Sequence, residues 1–411
     1  MADASLKKTE QSIAAELLAL IRTVADELKL PPQRLRTLNL DTSFDRELGL
    51  DSLSRMEILA RVEKHFGVRL PERLLAEAES PRDLLRAILA ITPGRAPMPL
   101  PGPAVQVTET AAALPVPETA QTLLEVLAWH CRHHPNRTHI LLIQEDFPEQ
   151  PISYAELAAQ ARRFARGLQD SGIEPEDTVT LMLPTGKEYF FAFFGILLAG
   201  AIPVPIYPPA RLSQLEDHLL RHSRILNNCQ TKLLVTVPEA KPIARLLKAQ
   251  VPTLAQVITP EKLACAQGDP VLIPRSSQDI ALLQYTSGST GTPKGVILTH
   301  FNLLSNIRAM GQVVQADSND VFVSWLPLYH DMGLIGGLLI PLLVGMQPNL
   351  LSPRRFLMDP ASWLRWIDLT RSEITLGPQF AYQLLARRVD PATLGNLDLS
   401  CLRIALNGAE P

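Results

Sequence analysis

Only four cysteines occur in the 411 residues, Cys131, Cys229, Cys265 and Cys401, and no two are close in sequence. No CxxC and no HExxH string is present, which argues against a structural zinc site or a zincin centre. No metal ligand can be assigned from the residues. A chain of this length does not depend on disulfide staples, so a reduced, cytoplasmic protein is expected. Long hydrophobic runs are also missing. The longest, residues 189–202, ends at Pro203 and falls short of the ~20 residues needed to span a bilayer. A similar run at 334–346 contains Pro341. Both are expected as buried elements, and no integral membrane segment is expected. Residues 1–10 are polar and lack the apolar stretch of a signal peptide. Charge of one sign is lacking too: 39 Lys and Arg stand against 42 Asp and Glu, a net charge of −3. Nothing in that balance points to nucleic acid or to an anionic membrane surface.

Proline is abundant, at 35 residues. Seven fall between positions 93 and 117, in a stretch with few charges and no aromatic residue. Such a composition predicts an extended, semi-rigid linker. It divides the chain into residues 1–92, a linker at 93–117, and residues 118–411.

The first segment reads as a small all-α bundle. Ile13, Leu17, Leu20, Ile21, Val24 and Leu28 recur at helical spacing, and Pro31-Pro32 stops the pattern. A second helix begins near Ser52, with Leu53, Met56, Leu59, Ala60 and Val62 as its apolar stripe. A last one follows Ser80-Pro81. In the remainder helical and strand-like patterns alternate. Helices are predicted near 122–133, 154–167, 188–199, 218–228 and 243–249. Strands are predicted near 139–144, 178–183, 202–206, 232–237, 256–258, 280–285 and 295–298. That alternation implies an α/β fold with mostly parallel sheets.

Three strings carry chemistry. In Glu47-Leu48-Gly49-Leu50-Asp51-Ser52-Leu53 a serine sits where a loop turns into a helix. A helix N-terminus favours a phosphate there, although Asp and Ser in that place also serve as an ordinary cap. In Tyr285-Thr286-Ser287-Gly288-Ser289-Thr290-Gly291-Thr292-Pro293-Lys294-Gly295 glycines free backbone N–H groups to converge on an anion. The hydroxyls add donors and Lys294 adds positive charge. It is a polyphosphate cradle by chemistry, yet not the Gly-Lys-Ser/Thr type. Further on come Trp325-Leu326-Pro327-Leu328-Tyr329-His330-Asp331-Met332-Gly333-Leu334 and, at the end, Leu406-Asn407-Gly408-Ala409-Glu410-Pro411.

Gly-Leu-Asp-Ser-Leu within a three-helix segment, roughly residues 10–91, resembles the acyl carrier protein family. The resemblance implies a 4'-phosphopantetheine arm on Ser52, attached by a phosphopantetheinyl transferase. The segment departs from the family's strongly acidic second helix: Arg55, Arg61 and Lys64 stand beside Glu57 and Glu63. Residues 1–92 hold 14 Lys and Arg and 15 Asp and Glu. Residues 118–411 resemble adenylate-forming enzymes, a superfamily of acyl-CoA ligases, nonribosomal adenylation domains and luciferase-like enzymes, and the expected lobe is its large α/β N-terminal lobe. The resemblance implies that Thr286, Ser287, Gly288, Ser289, Thr290, Gly291, Thr292 and Lys294 bind the phosphates of ATP. It places His330 beside the reacting carboxylate, and Asn407, Gly408, Ala409 and Glu410 at the adenine. Lys294 and His330 are the catalytic candidates.

Pro203-Val204-Pro205-Ile206-Tyr207-Pro208-Pro209, the string around His330 and Pro378-Gln379-Phe380-Ala381-Tyr382 are most similar to fatty acyl-AMP ligases. Gln379 departs from the asparagine usual there. Gly333 and Gly336 would leave room for an alkyl chain, and Phe380 and Tyr382 fit pocket lining or plain core equally. The implied reaction joins a fatty acid to AMP from Mg-ATP and passes it to a phosphopantetheine thiol on a carrier protein, in cis or in trans. A synthase or acyltransferase module would follow. An acyl-CoA ligase, an amino-acid adenylation module and a non-catalytic carrier and docking module are the alternatives. In the family the magnesium-binding glutamate, the ribose-binding aspartate and a C-terminal domain with a catalytic lysine come later. The chain therefore reads as truncated, with the magnesium ligand expected beyond residue 411 and little activity expected of this piece alone.

Overall fold

The computed structural model describes residues 2–27, 35–44, 47–48, 58–59, 61–62, 65–66, 68, 70, 78, 80–90, 113–143, 149–206, 215–238, 244–286, 294–389, 391–395 and 397–408. The chain divides into two compact units, Met1–Gly102 and Pro103–Pro411, each with its own hydrophobic core.

In the first unit a helix spans Ala2–Glu27. Leu17, Ile21 and Val24, spaced by three and four residues, are fully buried along one stripe. A second helix, Pro81–Ala90, opens on proline, whose missing N–H removes no helical bond in the first turn. The Asp83 carboxylate accepts from the Ser80 backbone N–H at 3.0 Å and from its hydroxyl at 2.9 Å. Residues 58–59, 61–62 and 65–66 are helical. Ile58, Leu59 and Val62 share one core with Leu17 and Leu84. Arg82 donates to both carboxylate oxygens of Asp41, with Nη2–Oδ2 at 2.7 Å. That hydrogen-bonded pairing holds the Asp41 carboxyl below its ordinary value and ties the loop to the last helix. The expected stop at Pro31-Pro32, Ser52 itself and residues 93–112 of the proline-rich stretch lie outside the described residues.

The second unit has twelve described strands: β1 (Thr138–Ile143), β2 (Gln150–Ser153), β3 (Thr178–Met182), β4 (Ile202–Pro205), β5 (Leu233–Thr236), β6 (Gln256–Ile258), β7 (Ile280–Thr286), β8 (Lys294–Thr299), β9 (Val321–Ser324), β10 (Gln347–Leu351), β11 (Ile374–Pro378) and β12 (Ile404–Gly408). One sheet runs β12-β11-β9-β10-β1-β2, a second β4-β3-β5-β6, and β7 and β8 form a two-stranded ladder. All pairs in the first two sheets are parallel except β1–β2. The β7–β8 hairpin is antiparallel. Proline cannot donate to a ladder, and Pro151, Pro203 and Pro205 accordingly stand on the edge strands β2 and β4.

The apolar run after residue 189 is a buried helix, Lys187–Leu198, with Phe190, Phe193 and Phe194 inaccessible to solvent. Gly195 lets it approach the helix Tyr154–Asp170 closely: a Cβ there would lie 2.6 Å from the Phe164 Cβ. Among the described residues no helix is long and apolar enough to cross a membrane. Residues just before the first helix of this unit are fastened to it. The Leu114 N–H donates to the Ser318 hydroxyl at 2.7 Å, and the Arg308 guanidinium donates to the carbonyls of Glu118 and Ala120 at 3.0 and 2.6 Å.

Tyr154 is sandwiched between two imidazoles, His130 at 4.5 Å and His139 at 4.6 Å between ring centroids. All three rings are fully buried. Desolvation pushes His130 down to about 4 and His139 to about 3. It pushes His300 to about 4, where Nδ1 accepts the Leu123 N–H. The folded state keeps these groups neutral, whereas the unfolded chain protonates them below the ordinary histidine value of 6.5. Their contribution to stability is complete above that pH and is lost as pH falls toward about 4. The thermal midpoint of this unit should drop by on the order of 10 °C between about pH 7 and about pH 5. In His139→Phe, which keeps a ring beside Tyr154, calorimetry across that range should show a shallower slope.

Candidate active site

Parallel strands point their carboxyl ends the same way, and loops at such ends are where α/β sheets place ligands. Here β9, β11 and β12 are adjacent and in parallel register, with Gly377 opposite Asn407 and Pro378 opposite Gly408. The Trp325–Asp331 string leaves the end of β9, Gln379 follows β11, and Asn407 and Gly408 close β12. The adenine candidates Asn407 and Gly408 are thus brought beside the His330 string. A Cβ on Gly408 would lie 3.0 Å from the Met332 Cε. The Tyr382 hydroxyl donates to the Leu406 carbonyl at 2.8 Å. Ala409 and Glu410 lie outside the described residues.

The His330 loop is built by tethering its carbonyls. The Tyr189 hydroxyl donates to the Leu328 carbonyl at 2.8 Å, and the Gln284 Nε2 donates to the Tyr329 carbonyl at 2.8 Å. The His330 N–H closes a turn onto the Pro327 carbonyl at 3.2 Å. His330 is exposed, yet the protein packed around its ring holds the imidazole below its ordinary value, against the opposing attraction of Asp331. Asp331 accepts the Met332 N–H at 2.8 Å. There a π-helix begins, Met332–Leu339, a wide-turn element that recurs at functional sites.

Gln284 lies on β7, two residues before Thr286. The hairpin register sets Tyr285 against Gly295 and Thr286 against Lys294. Gly295 is needed there, since a Cβ would sit 2.9 Å from the Tyr285 ring carbon Cζ. Tyr285 donates to the Asn228 side-chain oxygen, and burial pushes its phenol up to about 12. Lys294 is exposed at the loop's exit. Ser287, Gly288, Ser289, Thr290, Gly291 and Thr292 lie outside the described residues. The described strands β7 and β8, which flank that string in the chain, are joined to the His330 loop through Gln284. Ser52, in the other unit, also lies outside the described residues.

One glycine of the π-helix, Gly333, differs from expectation. A Cβ on Gly333 would fall 2.2 Å from the Pro327 carbonyl oxygen, so backbone fills the space that an alkyl chain was expected to take. At Gly336 the nearest atom is the Leu376 Cδ2 at 3.3 Å. Phe380 and Tyr382 join an aromatic cluster. Trp325 stacks on Phe356 at 3.8 Å, Phe380 meets Trp325 edge-on at 6.0 Å, and Tyr382 lies 5.3 Å from Trp363. Sequence reasoning missed Tyr189 and Gln284. The signal for Gln284 was a polar residue inside the apolar strand Ile280–Thr286; Tyr189 gave none, being one aromatic among five on its helix.

The β7–β8 ladder, the histidine loop and the end of β12 are thus neighbours on an α/β scaffold. The chain belongs to the AMP-binding enzyme family, whose sequence pattern matches residues 127–411. The phosphopantetheine attachment site pattern matches residues 19–88. The fold is thus the adenylate-forming α/β fold with a carrier domain. The chain is 34% identical over 296 residues to the medium-chain-fatty-acid–acyl-carrier-protein ligase JamA of Moorena producens, covering 71% of this chain and 50% of that protein. It is 30% identical over 331 residues to the ligase TtuA of the same description from Teredinibacter turnerae, covering 72% and 51%. A solved fatty acyl-adenylate ligase from L. pneumophila, in complex with acyl adenylate and pyrophosphate, superposes with a TM-score of 0.62 at 33% identity, covering 72% of this chain and 52% of that one. The chain spans about half the length of the curated relatives it matches.

The close approach at Gly333 gives a sharp expectation. Gly333→Ala should destabilise the second unit by about 1–3 kcal/mol, because backbone must move. Gly336→Ala, which meets only the end of a leucine, should cost under about 1 kcal/mol. Denaturant unfolding of the two variants beside the wild type measures the difference.

Proposed function

We propose that the protein activates a fatty acid with ATP, forming acyl-AMP and pyrophosphate, and passes the acyl group to a phosphopantetheine thiol on a carrier protein. The observation that carries this reading is the convergence of the hairpin base, the His330 loop and the β12 end at one edge of the sheet. The names of the relatives, fatty-acid ligases with an acyl carrier protein as partner, support the substrate class.

In this reading a carboxylate attacks the α-phosphate and the bond to pyrophosphate breaks. Charge growing on the phosphates is met by backbone N–H groups and hydroxyls of Thr286, Ser287, Gly288, Ser289, Thr290, Gly291 and Thr292, and by Lys294. His330, held largely neutral, stands where the carboxylate arrives. Asn407, Gly408, Ala409 and Glu410 contact the adenine. Among the described residues no group of three His, Cys, Asp or Glu is placed to hold a metal ion, so no step is assigned to magnesium. A phosphopantetheine arm on Ser52 would supply a thiol that accepts the acyl group as AMP departs. The serine hydroxyl is the chemical handle for such an arm, and a phosphopantetheinyl transferase would install it. Residues 1–92 are then the carrier, 93–117 the linker and 118–411 the adenylating lobe, with a synthase or acyltransferase module taking the product. We place this chemistry in the cytoplasm, in keeping with four free cysteines.

The full-length protein should catalyse ATP–pyrophosphate exchange only when fatty acid is present. Lys294→Ala should slow exchange about 10²-fold, the loss typical of one transition-state donor. Ser52→Ala should leave exchange intact while abolishing both the mass increment of the arm and self-acylation. Rapid formation of acyl-CoA, with no acylation of the holo-carrier, would favour a CoA ligase. Absence of exchange in the full-length protein would favour a binding module.

A further inference from the structure

Gln284 is 3% exposed and sits on β7 two residues after the fully buried Leu282. Alternation along a strand puts Leu282 and Gln284 on one face, where an apolar residue belongs. The side-chain amide makes one hydrogen bond, from Nε2 to the Tyr329 carbonyl at 2.8 Å. Only the NH2 end can face a carbonyl, so the orientation of the amide is fixed. Its Oε1 is buried and has no partner. One neutral hydrogen bond does not offset a stranded carbonyl in a dry site, so a methionine or leucine of similar volume would serve stability as well or better. The residue therefore contributes geometry. The carbonyl it grips belongs to the peptide that leads into His330, and two residues along its own strand the phosphate-loop hairpin begins. Tyr189 holds the same loop, at Leu328, from the helix Lys187–Leu198.

We propose that Gln284 is a positioning residue, which fixes His330 relative to the hydroxyl-rich loop so that carboxylate and ATP meet in register. The inference rests on the adenylating reading above. Misplacement of reacting groups by a fraction of an ångström lowers turnover far more than binding. Gln284→Met in the full-length protein should keep the thermal midpoint while lowering kcat for fatty-acid-dependent ATP–pyrophosphate exchange about tenfold or more, with KM for ATP and fatty acid changed less than about threefold. Gln284→Glu adds a signature that packing alone does not produce. Its carboxylate repels the Tyr329 carbonyl, but the protonated acid donates to it, and burial raises the carboxyl pKa. The ratio of Gln284→Glu to wild-type kcat should therefore rise as pH is lowered from about 8 to about 6.

Exchange by Gln284→Met equal to wild type overturns the inference alone. If that variant is also less stable, the pH ratio of Gln284→Glu decides, and a flat ratio overturns it. A wild-type protein without fatty-acid-dependent exchange overturns the adenylating function and this inference with it.

Discussion

Parallel pairing of β9, β11 and β12 is the constraint on which the site depends. Each strand delivers its carboxyl end to the same edge, so the residues that follow Ser324, Pro378 and Leu406 meet although up to 82 positions separate them in the chain. A change of register would carry Asn407 away from Gly377 and move its side chain to the opposite face. For β9 and β11 that arrangement is held by burial on both faces, whereas β12 is largely exposed. Phe322, Val323, Ile374 and Leu376 are all nearly inaccessible, as strands covered by helices require.

The loop that follows β9 carries little regular structure, yet its backbone is tethered by hydrogen bonds. Three successive residues, Pro327, Leu328 and Tyr329, have their carbonyls taken by the His330 N–H, the Tyr189 hydroxyl and the Gln284 amide. The π-helix that follows packs its first glycine against Pro327, which seats the loop from the other side. Side chains from a helix and from a hairpin therefore converge on the backbone that presents His330. In the first unit the Arg82–Asp41 pair does a comparable task at the surface, joining a loop to a helix with two hydrogen bonds.

Much of the scaffold was legible. The helical stripe of Leu17, Ile21 and Val24, the alternation of strands and helices from residue 122 to 298, and the hairpin that brackets the glycine-rich loop follow from local patterning. The short edge strand β2 was not legible, because Gln150-Pro151 reads as a turn and pairs only through contact with β1. The glycine at 333 was misjudged for a related reason. A missing side chain leaves space in a sequence, but only the fold says whether backbone, a neighbouring leucine or a ligand fills it.

The sequence alone determined which chemistry the chain carries: hydroxyls, glycines and a lysine in one string, a histidine in another, a serine at a helix start. Those depend on residue type and spacing, which are local. Tertiary structure decided which of these strings are neighbours, that Tyr189 and Gln284 hold the loop between them, and that His130, His139 and His300 are neutral core residues. Those facts arise from contacts between positions far apart in the chain and from loss of water around them, and no local pattern encodes either.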